Sequence, residues 1–129
     1  MGIKVFITGS WDETQKIKQA IEHFENFCEV IHDWTYHEDP ILLKNVNYLK
    51  SQNIVNVDAI EHSDYLIVIM DTPNIDYSST WTEIGIAIHN EIRIIMYNPS
   101  GLFSNNMYFH HPLIKNFDNM DKIINYLKE

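Results

Sequence analysis

The 129-residue chain sets 9 basic against 18 acidic side chains, a formal net charge of -9, with 45% hydrophobic and 21% charged residues. That balance excludes a disordered chain, and with one arginine, Arg93, and no basic stripe it excludes a nucleic-acid partner. No apolar run nears the ~20 residues that span a bilayer, so no membrane partner is expected, and the length suits one domain, 1–129, with its own core.

In chain order, Lys4–Thr8 (KVFIT) is a β-branched and aromatic run ended by Gly9-Ser10, which predicts a first buried strand. No basic segment, apolar core and cleavage site stand before it, so no signal peptide is expected. From about Asp12 to Phe27, Ile17, Ala20, Ile21 and Phe24 fall at helical spacing between charges. Cys28–Trp34 (CEVIHDW) predicts a second strand. Its cysteine is the only one and cannot form an internal disulfide, which points to a reducing, cytoplasmic setting. Ile41 to Glu61 predicts a helix carrying Leu42, Val46, Leu49, Ile54, Val57 and Ile60, either continuous or broken near Ser51-Gln52-Asn53.

Asp64–Asp71 (DYLIVIMD) holds six apolar or aromatic residues without alternation, the pattern of a strand covered on both faces in a parallel sheet. Thr80 to about Asn90 predicts a helix, Ile92–Asn98 a fourth strand, and the closing NMDKIINYLKE a helix with Met120, Ile123, Ile124 and Leu127 on one face. Strands alternating with helices predict an α/β three-layer sandwich around a central parallel sheet of four to five strands. Ligands of such sheets bind at the carboxyl ends of the strands, near the point where strand order reverses. That rule gathers Gly9-Ser10-Trp11, Asp33-Trp34, Asp71-Thr72-Pro73 and Tyr97-Asn98 along one rim, beside the Tyr77–Glu83 segment.

The common fingerprints are missing from that rim. There is no G-x-G-x-x-G after the first strand and no G-x-x-x-x-G-K-[ST], although Gly9 and Ser10 still offer backbone amides to a ligand. His110-His111 are neighbours whose side chains diverge, and no H-E-x-x-H occurs, so no metal site and no cofactor is expected. No G-x-S-x-G elbow exists, and Cys28 opens a strand rather than an electropositive loop.

Glu83 admits two readings. Thr80-Trp81-Thr82-Glu83 fits a capping box, with Thr80 as N-cap and Glu83 reaching back to its amide. Equally, a carboxylate in a helix's first turn at the sheet rim is favoured in its ionised form and suits a nucleophile.

FITGSWDE on the first strand, SDYLIVIMDTP on the third and STWTEIGIAI on the helix after it resemble the nucleoside 2-deoxyribosyltransferase superfamily, which includes the 2′-deoxynucleoside 5′-phosphate N-hydrolases. The resemblance covers roughly residues 3–98, and the E-[IL]-G-x-A element is its most specific part. It implies a flavodoxin-like fold and an enzyme whose glutamate, Glu83 by position, attacks the anomeric carbon of a nucleoside. The base departs, a glycosyl ester forms, and a second base or water resolves it. The alternatives are a nucleoside 5′-monophosphate hydrolase and a non-catalytic nucleotide-sensing domain of the same fold.

Around that nucleophile, Asp71 or Asp58 could assist the departing base as general acid, Asp71 having an alternative role as a turn-former. Trp11, Trp34, Trp81 and Tyr77 either wall a flat heterocycle or pack in the core. Three positions depart from the family. Phe6 stands where the family has a tyrosine that orients the nucleophile, Asn56 replaces an acid, and Tyr77, with Asp76 and Ser78 on either side and Ser79 close by, occupies the position of an aspartate or serine that meets the sugar's 5′ end. The loop GSWDE also lacks the arginine that the N-hydrolases use for a 5′-phosphate. The resemblance implies a homo-oligomer, a dimer or larger, with Gly101–Pro112 either completing a neighbour's pocket through Asn105 or Asn106 or folding back on its own chain.

Overall fold

The computed structural model describes residues 2–36 and 44–129. Five parallel strands form one sheet: β1 (Lys4–Thr8), β2 (Glu29–Val30), β3 (Tyr65–Ile69), β4 (Arg93–Tyr97) and β5 (Ile114–Phe117), in the order β2-β1-β3-β4-β5. This is the doubly wound, flavodoxin-like order, and it confirms the expected α/β sandwich with five strands. β1 and β3 pair from Val5↔Tyr65 to Thr8↔Val68, and β3 and β4 from Tyr65↔Arg93 to Ile69↔Tyr97. The centre of the sheet is its driest part: Leu66, Ile67, Val68 and Ile69 are at most 1% exposed, as their unbroken apolar run requires.

Four helices cover the two faces: α1 (Thr14–Phe24), α2 (Val46–Glu61), α3 (Ser78–His89) and α4 (Met120–Lys128). Right-handed crossovers send α1 to one face and α2 and α3 to the other. α1 buries Ile17, Ala20, Ile21 and Phe24, and α4 buries Ile123, Ile124 and Leu127, the stripes their spacing predicts. No helix among the described residues is long and apolar enough to cross a membrane.

The second strand and the helix after it differ from expectation. The second strand pairs over only two residues, because His32 takes a left-handed φ of 54° and the chain then coils into a short 3₁₀ turn, Trp34–Tyr36. There the Trp34 indole Nε1 donates to the Ile7 carbonyl at 2.8 Å, so the residue caps the end of β1 instead of extending β2. α2 runs unbroken through Ser51-Gln52-Asn53, with Asn45 as N-cap accepting from the Tyr48 amide. Its expected first residues, Ile41 and Leu42, lie outside the described residues. Of its apolar residues only Ala59 and Ile60 are buried, while Val46 and Ile54 are 63% and 67% exposed. Only the last turn of α2 reaches the sheet; the rest stands off across a cleft.

Between β4 and β5, Gly101–Pro112 folds back on its own chain. Phe103 sets its ring edge-on against Tyr77 and Trp81, at centroid distances of 5.6 and 5.9 Å, and Phe109 is buried. His110 Nε2 and His111 Nδ1 diverge to separate loop partners, Ser104 O at 2.6 Å and Leu113 N at 3.1 Å.

Candidate active site

The cleft between α2 and α3, at the carboxyl end of β1, encloses about 650 Å³. It lies beside the seam between β1 and β3, where strand order reverses, the crevice that doubly wound sheets use for ligands. Its volume is in the range of sites for small organic ligands.

Glu83 is partly buried in the wall of this cavity, and its Oε1 accepts a 2.5 Å hydrogen bond from the Thr8 hydroxyl at the end of β1. The capping box expected around it does not form. α3 begins at Ser78, two residues before Thr80, with Tyr77 at the N-cap position and no side-chain cap from it. The orphan Ser78 amide is met instead by Asp76 Oδ1 at 2.9 Å. Thr80 is 1% exposed, and its hydroxyl has no hydrogen-bond partner. Glu83 therefore falls in the second turn of α3, where the helix dipole has largely decayed. The expectation of an acid strengthened by the helix terminus is corrected accordingly. Burial pushes the Glu83 carboxyl up, the Thr8 hydroxyl pulls it partly back, and it settles at about 7.

The cavity gathers about half of the expected site. Gly9, Ser10, Trp11, Trp34, Asn56 and Ser79 line it together with Glu83. Ser10 Oγ accepts from the Asp12 amide at 3.1 Å and fixes the turn after β1. Trp11 and Trp34 lie with ring centroids 5.9 Å apart and planes tilted by 33°, one continuous aromatic wall. Gly9 is needed for close approach: a Cβ there would stand 2.4 Å from Ile17 Cδ1, itself fully buried, and 3.0 Å from the Ile69 carbonyl oxygen. Gly9→Ala is thus expected to cost ~1–3 kcal/mol of overpacking strain, read as a lower urea midpoint, and an unchanged midpoint would refute the contact.

Six expected residues do not line it. Asp58 is exposed and pairs with His62 at 3.4 Å. At 100° per residue, two positions turn it some 200° from Asn56, onto the far side of α2. Asp71 is bound by the Lys16 ammonium outside the cavity, so it is not placed to assist a departing base. Tyr77 is 4% exposed, with its hydroxyl donating to Glu13 Oε1 at 2.5 Å, and Trp81 packs on Phe103; both belong to the packing of α3 and not to the cavity wall. Phe6 is fully buried in the sheet, and Asn105 sits in the loop after β4, away from the lining.

The expected site left out Thr8, Asp12, Asp76 and Glu13, although Thr8 and Asp76 stood beside residues it named. Thr8 and Asp12 line the cavity from the β1 turn and Asp76 from the entry to α3. The Ser78 hydrogen bonds hold the Asp76 carboxyl below the ordinary carboxylate range. Glu13, with a side chain only 10% exposed, accepts from Tyr77 and from the Thr72 hydroxyl at 2.6 Å and stands 3.5 Å from Lys16. Asp76 carried a readable signal, an acid two residues before an unpaired helix amide. Glu13 carried none, since the two hydroxyls that donate to it, on Thr72 and Tyr77, lie 59 and 64 residues away. Cys28, pushed up to about 11 by burial, remains a thiol and no nucleophile. Among the described residues no three His, Cys, Asp or Glu side chains are placed to share a metal ion.

Fold and cleft together define a flavodoxin-like α/β protein with a partly buried carboxylate at the switch point of its sheet. No family model matches the chain, and no curated protein matches it in sequence. Among solved structures it is similar to the CMP N-glycosidase BcmB of Clostridium botulinum, at 15% identity and a TM-score of 0.60, over 97% of this chain and 98% of that one. At this identity the likeness is one of fold, and it extends over nearly all of both chains.

Proposed function

We propose that the protein cleaves the N-glycosidic bond of (2′-deoxy)nucleosides through a covalent glycosyl ester on Glu83. The observation that carries this reading is the carboxylate itself, part-buried and hydrogen-bonded in the wall of a cavity sized for a small ligand. The fold shared with a CMP N-glycosidase supports the reaction class. In the first half-reaction the anomeric C1′–N bond breaks and the base departs with the electron pair, taking up a proton, while a C1′–O bond forms to Glu83. In the second, water or a second base attacks C1′ and the C1′–O pair returns to Glu83; attacking water gives up its proton. An oxocarbenium-like transition state gains from a negative oxygen beneath C1′ in a water-poor cleft. The Trp11–Trp34 wall suits a flat base, for which aromatic stacking contributes ~1–3 kcal/mol. With Asp71 and Asp58 outside the cavity and Asp76 committed to its amide, Asp12 is the carboxylate left in the wall to pass a proton to the base.

An uncharged sugar end is favoured over a 5′-phosphate. Asp12, Asp76 and Glu83 line the cavity, and no lysine or arginine does among the described residues. A phosphate dianion there would meet like charge without a counter-ion. The similarity to a CMP N-glycosidase favours the second reading, a 5′-monophosphate substrate. Incubation with the four deoxynucleosides, the four ribonucleosides and CMP, each with and without an added free base, separates these readings by mass spectrometry. Free base or base exchange from nucleosides is the expected result. Turnover of CMP alone selects the second reading, and tight binding without turnover of any of them would make the protein a sensor.

A further inference from the structure

We infer that Thr8 is the positioning residue of Glu83: its hydroxyl donates to one carboxylate oxygen and thereby selects the other, Oε2, as the atom that meets C1′. This rests on the glutamate reading above. Thr8 ends β1 and Glu83 sits on α3, 75 residues later, so the bond spans a strand and a helix that no local turn brings together. Thr8 is 2% exposed and faces the cavity from the sheet side, and side-chain alternation along β1 keeps it on one face. No other hydrogen bond to the Glu83 carboxylate appears among those the structure shows for the described residues. With Oε1 held, the carboxylate cannot rotate freely.

The same donor serves both half-reactions. While Glu83 is a free carboxylate, the hydroxyl offsets part of the burial that favours the protonated, unreactive form. Once the C1′–Oε2 bond has formed, Oε1 is the ester carbonyl and keeps the same donor. As water or a base attacks C1′ and the C1′–Oε2 pair returns to the carboxylate, the charge that develops is already hydrogen-bonded. Among the described residues, the other titratable groups facing the cavity are Asp12 from the β1 turn, Asp76 from the entry to α3, and Tyr48 from α2. None of them hydrogen-bonds Glu83, so the donor acts alone on its charge among these groups.

Thr8→Val keeps the shape and removes the donor; Thr8→Ser keeps the donor. The first measurement needs no substrate: a ¹³C-carboxyl NMR titration of Glu83 in wild type and both variants. Thr8→Val is expected to raise the Glu83 midpoint by about one pH unit, a tenfold change in the ionisation equilibrium, and Thr8→Ser to restore it. The second is the pH dependence of kcat/KM on the substrate found above. The acid limb is expected to move upward in Thr8→Val with ~10-fold lower activity below neutral pH, and to return in Thr8→Ser. An unmoved midpoint and limb in Thr8→Val overturn the assignment, as does a uniform loss at every pH that serine fails to rescue. If Thr8→Val does not fold, Thr8→Ala carries the same comparison. Failure of the nucleophile reading itself looks different: Glu83→Gln would then retain turnover, whatever the titration of Thr8→Val shows.

Discussion

Glu83→Gln is expected to abolish turnover, by ~10⁴-fold or more, while making the protein more stable at neutral pH. The first effect follows from the loss of the proposed nucleophile, the second from the cavity wall, which pushes this carboxyl from the ordinary 4.5 to about 7. The folded-state value is raised, so the native state holds a proton that the unfolded chain releases first. Below pH 4.5 both states are protonated and the group costs nothing. Between pH 4.5 and about 7 the unfolded carboxylate ionises alone, and the native state loses on the order of 3 kcal/mol across that window. Above the folded value the loss is complete. Glutamine carries no such cost and can still accept from Thr8. Denaturant melts at several pH values check this: wild type should weaken from pH 4.5 to 7 relative to the variant, with parallel curves above and below. An active variant would remove Glu83 from its proposed role, and stability that tracks wild type at every pH would refute the raised folded-state value. In wild type, kcat/KM should fall about tenfold per pH unit well below 7, as the ionised fraction does.

The second large effect is expected outside the cavity. Glu13→Ala should cost ~2–3 kcal/mol of stability, because a side chain only 10% exposed is the shared acceptor for Tyr77, Thr72 and Lys16. Its removal leaves the Tyr77 hydroxyl buried without its acceptor and frees the 72–77 segment that leads into α3. Tyr77→Phe removes one of these bonds and should cost ~1 kcal/mol. Burial of Glu13 works against its charge, but the hydrogen bonds from Thr72 and Tyr77 and the charge of Lys16 outweigh it, holding the carboxyl below 4.5. A lowered folded-state value contributes stability above pH 4.5 that is lost as pH falls through it. The gap between wild type and Glu13→Ala should therefore narrow in acid. Equal melting curves at neutral pH would show that the clamp contributes nothing.

What the sequence disclosed follows from the range of the forces involved. β3 was legible because six apolar residues in a row fit only a strand buried on both faces. The carboxylate of Glu83 was legible as a candidate because the hydroxyl-rich entry to α3 and the rim of a parallel sheet place it near the ligand crevice. Its environment was not. The helix start turned on Asp76 meeting the Ser78 amide, which begins α3 two residues before the position where Thr80 was expected to cap it, a contest between near-equal local hydrogen bonds. The error over Asp58 was one of angle, since a position two residues from Asn56 lies across the helix. Asp71 was placed at the right rim, but nothing local announced that Lys16, 55 residues earlier, would claim it. Thr8 stood in view at the end of β1, yet its partner is 75 residues away, and only the assembled sheet brings them together.

The cleft has two unlike walls. On one side Thr8 and Glu83 are mounted at the strand and helix nearest the centre of the sheet, where Phe6, Leu66, Ile67 and Ile84 leave almost no surface to solvent. On the other, Gln52, Asn53 and Asn56 project from α2, most of which is solvated and anchored by its final turn. Substitutions along that outer rank would disturb little of the folding free energy, whereas the inner rank is locked to it. On the proposed reading, such an arrangement would let preference for the guest molecule drift while the Thr8–Glu83 pair stays constant.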